Sequence, residues 1–242
     1  MADAHAYAGG ELELFAGATR WKAYLASQIA PFARGRVLEV GAGIGGTTSF
    51  AARLAAFERW VCLEPDPALK ARMEARIASG EIPKGCEPRL GTLRSIPEGE
   101  RFDSLLYIDV LEHIEDDQGE LREAAAHLAP GGTLVVLVPA WQWLYSPFDR
   151  AIGHFRRYSP KALRAVAPSG LKLIRMRSLD SVGLLASLGN RLLLRQELPG
   201  RGQIAAWDRA LVPLSRILDP LLAYSLGRSV LGVWKKEEGP GA

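Results

Sequence analysis

Val37-Leu-Glu-Val-Gly-Ala-Gly-Ile-Gly-Gly46 sets a short apolar run directly against a burst of glycine. Arg36 to Val40 reads as a strand broken by those glycines, and Thr47 to Phe57 reads as a helix. A glycine loop between strand and helix lets the backbone come close to a ligand, which a Cβ would prevent. Gly41, Gly43, Gly45 and Gly46 also satisfy GxGxxG, and acidic Glu64 follows about 20 residues on, where a ribose hydroxyl would be bound. The pattern alone stays open between a ligand site, of which a dinucleotide site is one form, and glycines that serve only a tight strand-to-helix turn.

Working outward, Trp60 to Leu63 is a second strand, stopped by Glu64-Pro65-Asp66-Pro67. Residues 68–79 are helical, and Arg89 to Gly91 is a weak third strand. Ser104 to Asp109 is a fourth strand, and Gln118 to Leu128 is a helix closed by Pro130-Gly131-Gly132. Thr133 to Val138 (TLVVLV) is the continuous apolar run of a strand buried on both faces. Upstream, Leu14, Trp21, Leu25 and Ile29 predict a docking helix within residues 11–33. Leu171 to Met176 and Val230 to Trp234 are further strands. Alternation at this spacing predicts an α/β fold with a doubly wound, mostly parallel sheet.

Composition narrows the classes. The chain of 242 residues is 48% hydrophobic and 24% charged, ordinary for a globular domain. The two cysteines, Cys62 and Cys86, suit neither a disulfide scaffold nor CxxC zinc spacing. The net charge of +3 gathers in the last third, but no nucleic-acid motif accompanies it, so no nucleic-acid partner is expected. MADAHAYAGGELELF has no basic stretch followed by an apolar core, and no apolar run is long enough to span a membrane. A reducing, cytoplasmic setting is the expectation.

Glu39 stands two residues before Gly41, at the carboxyl end of its strand, where ligands bind in such sheets. A carboxylate there would repel a pyrophosphate, yet it suits the amino group of a methionine moiety. Asp109, Glu112 and His113 follow the fourth strand beside the same crevice.

VLEVGAGIGG, CLEPD, FDSLLYIDVLEHI and LAPGGTLVVLVPA together resemble the successive motifs of class I S-adenosylmethionine-dependent methyltransferases, of the broad type that includes ubiquinone-biosynthesis O-methyltransferases. The resemblance covers roughly residues 35–178. It implies a seven-stranded sheet with the last strand antiparallel, S-adenosylmethionine as cofactor and S-adenosylhomocysteine as product. It further implies Glu39, Gly41, Gly43 and Gly45 around the methionine part and Glu64 on both ribose hydroxyls, with Pro65 and Asp109 nearby. The family often carries an acidic residue for the adenine after strand three; here Gly91-Thr92-Leu93 stands instead, which assigns adenine to the backbone or Thr92. A nicotinamide oxidoreductase and a non-catalytic cofactor-binding subunit are the rival readings.

The methyl acceptor is expected past strands four and five. Trp141, Trp143, Tyr145 and Phe148 crowd one short stretch, followed by DRAIGHFRRYS. His154 is the candidate general base and His113 the second. Trp141, Tyr145, Arg156, Arg157 and Tyr158 are the candidate substrate contacts, the arginines for a carboxylate or phosphate; the plain alternative pairs them with Asp149 and surface acids. No metal-ligand spacing is present. His5 and His127 read as surface residues.

The tail is apolar and basic. Ile204, Trp207, Leu211, Leu214, Leu218 and Leu221 form one stripe, with a kink expected at Pro213 and a new helix at Asp219-Pro220. Leu184, Leu185, Leu188, Leu192 and Leu193 form another, flanked by Arg191 and Arg195. These segments predict a cap over the site, a homodimer interface or peripheral contact with a membrane holding a lipid-linked acceptor. The division expected is a helical cap over 1–34, a core over 35–178, a second cap over 179–228 and a final strand and tail over 229–242.

Overall fold

The computed structural model describes residues 11–189 and 200–238. In chain order it contains α1 (Glu11–Leu14), α2 (Thr19–Ile29), β1 (Arg34–Val40), α3 (Thr48–Leu54), β2 (Ala56–Glu64), α4 (Pro67–Ala78), β3 (Cys86–Leu90) and β4 (Phe102–Ile108). There follow α5 (Asp117–His127), β5 (Leu128–Pro139), α6 (Pro147–Ala151), α7 (Pro160–Val166), β6 (Leu171–Leu179) and α8 (Ser181–Gly189). The tail holds α9 (Arg201–Ala206), α10 (Val212–Leu221) and β7 (Ser229–Lys236).

The seven strands form one sheet in the order β3-β2-β1-β4-β5-β7-β6. β1 to β5 pair in parallel, and β7 is inserted antiparallel to both β5 and β6. The strand order reverses between β1 and β4, the switch point at which such sheets open a ligand crevice. Both faces are covered, as the unbroken apolar strands require. Val135 and Leu137 of β5 pack with α2, α3 and the tail, while Leu134, Val136 and Val138 pack with α5 and α7. Glu39 alternates onto the first of these faces, beside Cys62 and Leu106 in register.

Several boundaries differ from the sequence reading. The helix expected over residues 11–33 is split by an interruption containing Gly17, a weak helix former. The helix expected to reach Phe57 ends at Leu54, because Ala55 is extended and Phe57 already packs edge-on against Trp60 in β2. His127, expected at the surface, is buried with Nδ1 3.0 Å from the Glu100 carbonyl; His5 lies outside the described residues.

The tail departs most. Asp219 does not start a helix but sits fully buried inside α10. Its carboxylate serves another helix, accepting from Asp180 N (2.8 Å) and Ser181 N (3.0 Å) at the start of α8, and from the Tyr24 hydroxyl (2.7 Å). Asp208 likewise accepts from Arg20 N (3.2 Å) and Trp21 N (2.9 Å) in the first turn of α2. Each carboxylate thus satisfies orphan amides of a distant helix end. Pro213 is absorbed by a π-helical turn, Trp207–Leu211, joining α9 to α10. The Arg209 carbonyl, which an amide at position 213 would have engaged, accepts from the Arg20 guanidinium instead. The stripe is not buried along its length: Ile204 and Trp207 are, whereas Leu214, Leu218 and Leu221 are exposed. Leu192, Leu193, Arg191 and Arg195 lie outside the described residues.

Candidate active site

The glycine loop leaves β1 with Gly41, Gly43 and Gly45 all at positive φ (+67°, +58° and +71°). At Gly45 a Cβ would lie 2.4 Å from Ile82 Cδ1, so sterics as well as backbone conformation demand glycine. Glu64, at the end of β2, accepts from Gly43 N (2.8 Å) and Asp66 N (2.9 Å), one bond to each oxygen. Burial raises its carboxyl above the ordinary value, and those two amides oppose the rise. Glu39 is buried, and its Oε2 accepts from Thr48 Oγ1 and Trp60 Nε1, each at 2.8 Å. Desolvation pushes its carboxyl up to about 7 in spite of both bonds.

An open cavity extends from this loop across the switch point. Glu39, Gly41, Gly43 and Asp109 line it, whereas Gly45, Glu64, Pro65, Thr92 and Leu93 lie outside its lining. Leu93 is fully buried against the opposite face, and the Thr92 carbonyl accepts from the Ser95 hydroxyl. Three non-glycine residues take left-handed backbone just past strand ends: Asp109 after β4, Trp141 after β5 and Asp180 after β6, with φ of +54°, +67° and +67°. Strain of this kind concentrates at functional rims.

The far half of the cavity is built around Asp149, which has no exposed surface. Its carboxylate accepts from Ser146 N and Oγ (2.9 and 2.8 Å), His154 Nδ1 (2.9 Å), and Arg157 Nε and Nη2 (2.7 and 3.0 Å). Burial alone would raise this carboxyl, but the bonds from His154 and Arg157 hold it well below the usual carboxylate range. His154 Nε2 lies 3.8 Å from Glu112 Oε1, and the ring meets His113 edge-on at 4.6 Å. Burial, then the neighbouring His154, push His113 down to about 4, so it is neutral at physiological pH. Glu112, His113 and His154 each offer a ligand atom within 4.8 Å of the others. The sequence showed no such spacing, because His154 arrives from a distant loop. Such a trio can pass a proton or seat a cation.

The expected substrate contacts fall mostly outside the lining. Arg157 reaches the cavity wall but is gripped bidentately by Asp149. Arg156 Nη1 is 2.6 Å from Asp117 Oδ2, and Tyr158, buried, donates to the same carboxylate at 2.7 Å. Tyr145 donates to the His154 carbonyl (2.6 Å), and Trp141 Nε1 donates to the Gly227 carbonyl (2.8 Å). Of the four crowded aromatics, Phe148 lines the cavity. These side chains brace the segment that presents His154. Lys22 and Arg228 line the cavity without any sequence motif to announce them, and Trp207 reaches it from the stripe expected to cap the site.

A family model described as a methyltransferase domain matches residues 13–174, about two thirds of the chain. The chain belongs to that family. Its fold is that of class I S-adenosylmethionine-dependent methyltransferases. The chain is 30% identical over 112 residues to a ubiquinone biosynthesis O-methyltransferase of Parvibaculum lavamentivorans, covering 46% of this chain and 43% of the relative. The match thus spans less than half of that curated relative. Its fold resembles a putative sarcosine dimethylglycine methyltransferase from Galdieria sulphuraria (22% identity, TM-score 0.60, covering 91% and 86% of the two chains). It also resembles the N-methyltransferase NodS from Bradyrhizobium japonicum in complex with S-adenosylhomocysteine (14% identity, TM-score 0.58, covering 98% and 95%).

The residues present fit that cofactor. The glycine cradle has room only without Cβ atoms, and the buried Glu39 faces a cavity where a cationic amine would recover its desolvation cost. Among the described residues no helix is long and apolar enough to cross a membrane.

Proposed function

We propose that the methyltransferase transfers a methyl group from S-adenosylmethionine to a hydroxyl oxygen of a small-molecule acceptor. When bound, the cofactor supplies a methyl group already activated as a sulfonium. Glu39 and the loop amides take its methionine end, and Glu64 takes the ribose. The observation that carries the oxygen assignment is His154 Nδ1 held 2.9 Å from the buried Asp149 carboxylate, inside the cavity that the glycine loop also lines. A proton on Nδ1, directed at Asp149, leaves Nε2 as the lone-pair nitrogen. A hydroxyl must lose its proton as it attacks, whereas a neutral amine already presents a lone pair. Asp149 fixes the ring and favours the imidazolium once the proton arrives, and Phe148 and Ile152 help exclude water. The partial match to an O-methyltransferase points the same way.

Calorimetry with S-adenosylhomocysteine, followed by turnover of a phenol and catechol panel with labelled cofactor, tests the reading. Micromolar-range binding is expected, weakened at least tenfold in Glu64→Ala. His154→Ala is expected to lose turnover and keep cofactor affinity. Binding of NADH in place of S-adenosylhomocysteine would overturn the donor assignment, and undiminished turnover in His154→Ala would overturn the base.

A further inference from the structure

β7 runs antiparallel to its neighbours, so its amino end lies beside their carboxyl ends, on the ligand edge of the sheet. The residue entering β7 there is Arg228. Its backbone is fixed on both sides: Arg228 N donates to the Asp180 carbonyl past β6 (3.2 Å), and its own carbonyl accepts from Ala140 N past β5 (2.8 Å). The side chain enters the cavity, with the guanidinium carbon 5.4 Å from the Trp207 ring centre.

Its hydrogen-bonding capacity is unfilled. A guanidinium carries five N–H donors, and the Arg228 side chain has no hydrogen bond or ion pair among the described residues. The carboxylates whose fields reach it are Asp180, Asp149 and Asp109, and the first two are committed elsewhere. Asp180 accepts from Trp207 Nε1, Ser215 Oγ and Gly183 N. Asp149 holds His154 and Arg157. Burial, the dominant influence, depresses the basicity of Arg228. Arg228 is only partly buried, so a ligand in the cavity can reach its free donors. A second cation stands at the glycine loop itself: Lys22 Nζ donates to the Ala16 carbonyl and lies 3.4 Å from where a Cβ on Gly46 would stand.

We infer that Arg228 is the specificity residue for the acceptor, binding a carboxylate or phosphate group on it through the planar fork. Arg156 and Arg157, the cations that the sequence favours for this task, are already paired with Asp117 and Asp149. The inference rests on the methyltransferase reading and adds the acceptor's charge to it.

The test is titration of the full chain, saturated with S-adenosylhomocysteine, with three probes: 4-hydroxybenzoate, phenyl phosphate, and the neutral methyl 4-hydroxybenzoate. At least one anion is expected to bind tenfold or more tightly than the neutral ester, and the stronger of the two identifies the group. Arg228→Gln is expected to erase that preference, Arg228→Lys to restore part of it, and both to bind S-adenosylhomocysteine within twofold of wild type. Equal binding of anions and ester, absence of binding by both anions, or preference surviving in Arg228→Gln would overturn the inference. A selective loss of S-adenosylhomocysteine affinity in Arg228→Gln would move the guanidinium to the cofactor carboxylate and also overturn it. Failure of the wild type to bind S-adenosylhomocysteine would instead sink the methyltransferase reading.

Discussion

Replacing Asp149 by Asn preserves shape while removing the charge on which five donor contacts converge. The carboxylate is fully buried and the Arg157 side chain is 10% exposed, so the pair belongs to the interior rather than the surface. Breaking one half of a buried pair strands the other charge and costs about 3–5 kcal/mol. For a chain of this size that corresponds to roughly 6–20 °C in Tm, at about 2–4 °C per kcal/mol. Urea denaturation at pH 7, read as a shift in midpoint at constant slope, measures it. The sign with pH follows from a carboxyl held below its ordinary value. Its contribution is complete above the unfolded carboxylate value near ~3.9 and fades as pH falls toward the lower folded value. The gap between wild type and Asp149→Asn is therefore widest above about pH 5 and closes in acid. Turnover is expected to fall at least about a hundredfold, with S-adenosylhomocysteine affinity unchanged. A loss smaller than about 1 kcal/mol, or a gap that ignores pH, would refute the reasoning.

Three more outcomes are expected. His113, pushed down to about 4, stays neutral in the fold while the unfolded imidazole protonates below about 6.5. Wild type should accordingly lose on the order of 3 kcal/mol more than His113→Asn between pH 6.5 and 4, seen in urea midpoints; parallel pH curves would contradict this. Glu39, with its carboxyl near 7, should give up its proton when the ammonium group of S-adenosylhomocysteine arrives. Calorimetry at pH 6.5 in buffers of different ionisation enthalpy should show that release, and Glu39→Gln should abolish it; buffer-independent heats in wild type would exclude it. Asp219→Ala should lose at least about 3 kcal/mol, because three donors to a buried carboxylate lose their acceptor together. An unfolding midpoint within 1–2 °C of wild type would contradict that.

The sheet was legible because its central strands announce themselves: TLVVLV can only be buried on both faces, and the glycines after Val40 end β1 where a ligand must approach. Glu39 and Glu64 were legible as carboxylates beside the glycine loop, since they belong to short motifs read off contiguous residues. The cluster around Asp149 was not, because it is assembled with side chains far apart in sequence. Asp149 and His154 stand together in DRAIGHFRRYS, yet which arginine the aspartate would hold depends on a turn that the motif does not encode. Arg228 sits in an undistinguished turn, and only the reversal of β7 brings it to the ligand edge. Asp219-Pro220 misled for a related reason: a helix-start pair in sequence became the cap of another helix, since burial against α8 satisfied more amides than a local start would.

The buried aspartates of the tail also hold one side of the cavity in place. Phe15, Trp21 and Lys22 from the beginning of the described chain and Trp207 from its last quarter share one wall. Asp208 pins the start of α2 to the π-turn that carries Trp207, and Asp219 ties Tyr24 to the entry of α8. Phe15 and Trp21 therefore meet Trp207 ring to ring as one packed wall, and loosening either carboxylate would disturb the aromatic lining that both segments share.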